Sequence, residues 1–299
     1  MRRRLLTLLL MAMHLTACQA QPATVQNDGV LHVLTTTGFL ADLTRQVAGE
    51  RAVVESLIPA GADPHAFEPA PQDVARIAGS SVLVINGAGF EEWLNKTLEN
   101  AGGSRTLIVA SQGLTARPAE NPAEHLQGDP HFWLDPVLAK TYVNNIRDSL
   151  SQVDPAGEAV YAANAAAYQQ KLDELDAWIR SQVDTIPPAR RLLVTNHESF
   201  GYFADRYGFT VVGAVVPSVS SSASPSAQDL ARLIDLIRQS GAPAIFLESG
   251  TNPQLADQVA RDTGIRVVTG LLTHSFGPEA QDYIAMLKLD TQLIVDALK

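Results

Sequence analysis

Residues 155–183, "PAGEAVYAANAAAYQQKLDELDAWIRSQV", hold neither Pro nor Gly after Gly157. The stretch is rich in Ala and other good helix formers, and it stops before Pro187 and Pro188, which cannot continue a helix. At a rise of about 1.5 Å per residue, such a helix spans roughly 43 Å, enough to cross a whole domain. The patterns on either side of it constrain the fold. Before it, short apolar strands at 30–35, 52–58, 81–85 and 106–109 alternate with helices at 39–47, 71–78 and 91–100, and a further helix runs over 136–153. After it, strands at 191–195, 209–216, 244–247 and 266–269 alternate with helices at 199–207, 227–239, 253–263 and 279–298. Short apolar strands in strict alternation with helices predict parallel sheets covered by helices. The expected fold class is therefore α/β. Two lobes, each a mostly parallel sheet flanked by helices, are joined by one long rigid helix. The expected divisions are an N-terminal lobe at 30–153, a linking helix at 154–185 and a C-terminal lobe at 186–299. Residues 113–130 break the rhythm with a polar run rich in Pro and Gly, which reads as an exposed loop.

The N-terminus lies outside this pattern. Arg2, Arg3 and Arg4 precede a short apolar run, Leu5 to Met13, too short for an ordinary transmembrane helix. Leu15-Thr16-Ala17-Cys18 resembles a bacterial lipobox, and Cys18 is the only cysteine in the chain. Residues 1–17 are expected to be a signal peptide, Cys18 a lipid-anchoring site and 18–29 a polar spacer. The mature protein would then be exported and lipid-anchored at the cell membrane, on a periplasmic or outer face. Its core must hold without a disulfide. The formal charge of −10 becomes more negative once the three arginines are removed. That balance argues against nucleic acid as a partner and suits the attraction of cations.

Asp-Pro-His occurs twice, at Asp63-Pro64-His65 and Asp129-Pro130-His131. Proline stiffens its own backbone and biases the preceding residue toward extended geometry, so each histidine sits on a constrained loop. Of the histidines, His65, His131, His197 and His274 share one kind of position, in loops after expected strands. Ligands in open α/β sheets bind at the carboxyl ends of strands. Two of these histidines come from each half, so they converge if the halves face each other. Imidazole is the commonest metal ligand near neutral pH, and four of them suit tetrahedral Zn²⁺. Loop histidines are more often solvated than ligating, so spacing alone leaves the metal site open.

Longer motifs narrow it. "GADPHAFEPAPQD" is similar to G-x-D-P-H-x-[YF]-E-P-[ST]-x-x-D, with Ala70 at a usual Ser or Thr; "DPHFWLDP" resembles D-P-H-x-W-L-[DS]-P. Together with "TNHESFGYFADRYGF" and "SPSAQDLARLI", these blocks resemble the zinc- and manganese-type solute-binding lipoproteins of bacterial ABC importers, from about residue 30 to the C-terminus. The resemblance implies two α/β lobes joined by a rigid helix, with a metal site in the cleft between them. It implies a binding protein, not an enzyme, whose partners are a divalent metal ion and a membrane ABC permease. A monomer is expected. The family's ligand positions fall on His65, His131, His197 and, in "GLLTHSFGP", His274, where the family usually has Asp. At the third position zinc-type members carry His and manganese-type members Glu. Many zinc-type members carry a long His-rich acidic insertion in the loop before "DPHFWLDP". This chain has only His125 there, among Glu120 and Glu124, and His125 reads as a solvated loop residue. His32 reads as a strand residue with no ligand role.

Imidazole suits Zn²⁺ and other late metals, whereas Mn²⁺ favours carboxylates. The expected cargo is Zn²⁺, with Mn²⁺ the alternative. Four neutral ligands leave the charge of the ion uncompensated, so nearby carboxylates should orient the rings and offset it. Glu198 and Glu248 are the candidates. Asp63 and Asp129 are expected to cap their own loops, and Trp133 and Phe67 to pack beside the ligands and exclude water. A zinc hydrolase using Glu198 or Glu248 as base would need an open coordination position, available only if His274 does not ligate.

Overall fold

The structure, a computed structural model, describes residues 30–119 and 127–299. The expected signal peptide, Cys18, the spacer to residue 29, and Glu120, Glu124 and His125 lie outside the described residues. Leu31–Lys299 forms one compact unit. No helix among the described residues is long and apolar enough to cross a membrane.

The first sheet is built from β1 (Leu31–Thr35), β2 (Ala52–Ser56), β3 (Val82–Ile85) and β4 (Thr106–Val109), in the order β2-β1-β3-β4 with every pair parallel. Its helices are α1 (Gly38–Ala48), α2 (Pro71–Gly79) and α3 (Leu94–Ala101). The second sheet repeats the topology. β5 (Leu192–Thr195), β6 (Thr210–Ala214), β7 (Ala244–Glu248) and β8 (Arg266–Leu271) run in the order β6-β5-β7-β8, again all parallel. Its helices are α6 (Gly201–Tyr207), α7 (Ala227–Ser240), α8 (Gln254–Thr263) and α9 (Tyr283–Leu298). Between the sheets in sequence lie α4 (Pro136–Val153) and α5 (Glu158–Val183). The α/β class, the two lobes and the long connecting helix all match the expectation.

The long helix starts later than its sequence suggests. Pro155–Gly157 forms a 3-10 turn, and α5 follows it. The turn is fixed by Asp154, which receives Arg51 Nε at 2.8 Å and Nη2 at 2.9 Å together with the Tyr161 hydroxyl at 2.6 Å. A Cβ on Gly157 would lie 2.4 Å from the Arg51 side chain and 2.6 Å from the Tyr161 ring, so the close approach needs glycine. Along α5, Tyr161, Ala165, Tyr168, Leu172, Leu175, Ile179 and Val183 are buried. Steps of three and four residues put them on one stripe. That stripe joins a core that draws on β1, α1, α4, α6 and α9 alike, so a single apolar interior crosses from one lobe to the other. Each fully buried Leu or Ile there contributes about 2 kcal/mol. Smaller apolar clusters lie around Ile77 and Leu83 in the first lobe and around Leu233 and Ile245 in the second.

Polar contacts tie the lobes at the same seam. Arg206 of α6 binds Asp176 of α5 with two hydrogen bonds of 2.7 Å and approaches Asp135, the N-cap of α4, at 3.1 Å. Trp133 Nε1 donates to the Thr273 carbonyl at 2.7 Å, and the Tyr202 hydroxyl donates to the Asp129 carbonyl at 2.6 Å. α3, α6 and α9 also begin later than expected, α9 at Tyr283 behind its N-cap Asp282, and the would-be first turns of α3 and α6 are used elsewhere. Before α3, the Glu91 carboxylate accepts the Asn86 and Gly87 N–H groups at 2.7 and 3.1 Å. Before α6, the Ser199 N–H turns back to the His197 carbonyl at 2.9 Å.

Candidate metal centre

The two Asp-Pro-His segments use one local device. The Asp63 carboxylate accepts the His65 N–H at 2.9 Å, and the Asp129 carboxylate accepts the His131 N–H at 2.9 Å. A short acidic side chain that binds the backbone two residues on closes a turn, and each turn presents its histidine from the end of the first sheet. His197 follows β5, where the Thr195 hydroxyl donates to the His197 carbonyl at 2.7 Å. His274 follows β8. His131, His197 and His274 are buried, and His65 is partly exposed.

The four rings come together. Their six pairwise centroid separations are 5.0, 5.1, 5.2, 5.5, 5.5 and 5.5 Å. Four points nearly equidistant from one another define a tetrahedron. One ligand atom from each ring lies within 4.8 Å of all the others. His131 Nε2 is 3.3 Å from His197 Nε2 and 3.4 Å from His274 Nε2. Zn–N bonds of about 2.0–2.1 Å place tetrahedral ligand atoms about 3.3–3.4 Å apart. Lone pairs of neutral imidazoles facing each other at this distance repel unless a cation or a shared proton lies between them.

The Nδ1 atoms of three of the rings meet polar groups. His131 Nδ1 lies 2.8 Å from Asp129 Oδ1. His197 Nδ1 lies 2.7 Å from Glu248 Oε1. His274 Nδ1 lies 2.9 Å from Thr273 Oγ1, whose hydroxyl donates to Glu248 Oε2 at 2.6 Å. These contacts favour the tautomer with a proton on Nδ1 and a free lone pair on Nε2. Burial, reinforced by the neighbouring His197, His274 and His65, holds the His131 ring well below the ordinary imidazole value. Burial also lowers His197, but adjacent Glu248 outweighs it and raises the ring. Burial raises Glu248, yet His197 and His274 overcome it and hold the carboxyl well below its usual range. Asp129 is pushed by burial up to about 7, against the pull of the His131 N–H.

Other expectations divide. His32 lies on β1 with its side chain exposed, outside the group. Asp63 caps its loop as expected, but Asp129 does more, since the oxygen that caps the turn also meets the His131 ring. Glu248 stands against the imidazoles, while the Glu198 backbone N–H binds the Ser218 carbonyl at 2.9 Å. Trp133 packs 5.1 Å from the His131 ring and 6.0 Å from His274. Phe67 instead faces Trp93 at 5.0 Å, in the smaller cluster of the first lobe, because it lies two residues beyond His65 on a turning loop. Phe90 takes the expected place of Phe67, 4.9 Å from His65 and 5.9 Å from His274. No sequence motif marks Phe90 or Thr273. Cavities of about 440 Å³, beside His65, and about 820 Å³, beside His274 and Glu248, reach the cluster from two sides.

Known proteins share this architecture. The chain is 34% identical to the manganese-binding lipoprotein MntA of Halalkalibacterium halodurans, over 97% of this chain and 96% of that one. It is 30% identical to the manganese ABC transporter substrate-binding lipoprotein PsaA of Streptococcus pneumoniae, over 98% and 97%. Among solved structures, it superimposes on the periplasmic zinc-binding protein TroA of Treponema pallidum with a TM-score of 0.83 and 29% identity, covering 90% of this chain and 99% of that one. A Mn-bound periplasmic metal-binding protein from Candidatus Liberibacter asiaticus gives a TM-score of 0.81 at 25% identity, covering 90% and 100%. The sequence pattern of one family accounts for residues 33–297, nearly all of the compact unit, and the chain therefore belongs to the ZnuA family, described as the periplasmic component A of the zinc-uptake complex.

Proposed function

We propose that this protein captures one Zn²⁺ through His65, His131, His197 and His274 and delivers it to a membrane ABC permease. Family membership carries the coarser statement: the chain is a metal-binding, extracytoplasmic solute-binding component of an ABC importer, and not an enzyme. The observation that carries the finer one is the near-regular tetrahedron of four rings, three of which, His131, His197 and His274, have their Nδ1 atoms against polar groups away from the centre. Neutral nitrogen donors favour Zn²⁺ over Mn²⁺ by both donor softness and the general order of divalent affinities. Four protein ligands also close the coordination shell, which suits holding an ion and not hydrolysing a substrate at it. In this reading 1–17 is a signal peptide, Cys18 the lipid anchor, 30–153 and 186–299 the lobes, and 154–185 the helix between them. The protein acts as a monomer.

Manganese is the second reading, favoured by the names of MntA and PsaA. Competition titrations at one pH above 7 separate the two. Wild type should retain one equivalent of Zn²⁺ against an excess of Mn²⁺. His274→Asp should narrow the Zn/Mn affinity ratio by supplying a hard oxygen donor. His274→Ala should weaken Zn²⁺ by about tenfold or more, since even partners one step removed from a ligand act on that scale. Tighter Mn²⁺ than Zn²⁺ binding in wild type would move the assignment to manganese. Unchanged behaviour of both variants would remove His274 from the site.

A further inference from the structure

We propose that Glu248 is the positioning residue for the ion, fixing the tautomer of two ligands at once and supplying the negative charge the all-imidazole set lacks. The inference rests on the reading that the four histidines hold a divalent cation.

Glu248 is the last residue of β7, and its side chain is 10% exposed. Its two oxygens divide the second-lobe ligands between them. Oε1 lies 2.7 Å from His197 Nδ1. Oε2 accepts the Thr273 hydroxyl at 2.6 Å and lies 3.4 Å from His274 Nδ1. Since the Thr273 hydroxyl donates to Glu248, its oxygen is left to accept the proton on His274 Nδ1, 2.9 Å away. A hydrogen-bond chain runs from His274 through Thr273 to the carboxylate, and a direct contact runs from His197 to the same group. Both rings are thereby held with Nδ1 protonated and Nε2 free. A carboxylate against Nδ1 also makes the imidazole a stronger donor and offsets part of the charge of the ion.

A local irregularity in the sheet aims this side chain. β7 and β8 pair in register from Ala244 with Arg266 to Leu247 with Thr269, and then Glu248 pairs with Leu271. Gly270 is the residue passed over, at φ +102, where side chains are strained. An extra residue in one strand bends it and redirects neighbouring side chains. The shift brings the carboxylate at the end of β7 and Thr273 and His274 beyond β8 to the same corner.

The amide of Glu248→Gln has one acceptor where the site presents two donors, His197 Nδ1–H and the Thr273 hydroxyl. One partner must turn away, and the charge is lost. Zn²⁺ affinity should fall about 10- to 100-fold. Thr273→Val cuts only the arm to His274 and should cost less, Thr273→Ser should restore it, and Thr273→Val should add nothing in a His274→Ala background. Zn²⁺ competition titrations of the whole mature protein read these effects. The visible spectrum of the Co²⁺-loaded form should change in Glu248→Gln. If wild type binds no metal, or if His197→Ala binds as wild type does, the reading of the site fails. If the histidine variants lose metal but Glu248→Gln and Thr273→Val stay within twofold of wild type, this proposal fails alone. Should Glu248→Gln fold poorly, the Thr273 pair decides: equal affinities for Val and Ser overturn the proposal.

Discussion

The titration of individual imidazoles sets how this site responds to acid. His131 is held well below the ordinary range by burial and by three neighbouring rings, so it stays neutral into acid. His197 goes the other way, because adjacent Glu248 outweighs burial and raises it above the ordinary 6.5. A raised ligand keeps a proton that the ion must displace at higher pH. Zn²⁺ affinity should therefore be level well above neutrality and begin to fall as pH drops through the His197 value. The first part of the fall should have a slope of about one proton per metal. Dissociation constants between pH 5 and 8 measure this, and a flat profile would remove the imidazoles from the site. At this scale the sequence was legible where a residue carries its own signal. The Asp-Pro-His pairs and the loops after expected strands pointed to the four histidines. Of the two supporting carboxylates expected, Glu198 and Glu248, Glu248 reaches the His197 ring, from the end of β7 beside a shifted strand register. Phe67 sits two residues from His65 but faces away, and Phe90, distant in sequence, lies against the ring.

At the scale of elements, alternation located every strand among the described residues, because strands of parallel sheets flanked by helices read as short apolar runs. Helix starts were less legible because they depend on what the preceding turn binds, as Glu91 before α3 and Asp154 before α5 illustrate. The loop between β2 and α2 was legible as a carrier of His65 but not as a latch. Its Gly61 N–H donates to Ser275 Oγ at 2.7 Å, and its Asp63 carboxylate accepts the Ser221 hydroxyl at 2.5 Å. Both serines belong to loops of the second lobe. The loop thus closes over the only partly exposed ligand, between the two cavities. Exposed hydrogen bonds are each worth about 0.5 kcal/mol at the low end, so two give about 1 kcal/mol, or roughly fivefold in rate. Ser221→Ala combined with Ser275→Ala should speed Zn²⁺ release by about that factor and leave capture nearly unchanged. Stopped-flow release into excess chelator reads it, and an unaltered release rate would make the latch contacts incidental.

For the whole molecule, the question is how far the lobes move when the ion arrives. Binding proteins hinged on flexible strands close around their ligand by bending a few backbone positions. Here the connection is α5, a helix of 26 residues whose buried stripe lies in an apolar core shared by both lobes. Bending it would break regular helix hydrogen bonds and open packed interior, where volume changes of even one methylene group are felt. Arg206 adds a further tie, since moving α6 from α5 would take its guanidinium from Asp135 and leave Asp176 with Arg180 alone. Trp133 holds the Thr273 carbonyl beside the site itself, so the ligand loops of the two lobes are joined there as well. Motion on loading should then be confined to the His65 loop and its serine contacts. Small-angle scattering curves of the metal-free and Zn²⁺-loaded protein should superimpose, even though one ligand loop changes its order. The shared core also makes the lobes unfold together, so denaturant should give one transition by fluorescence and by circular dichroism. A marked compaction on loading, or two separated transitions, would show that α5 is a hinge between independent domains and not a strut.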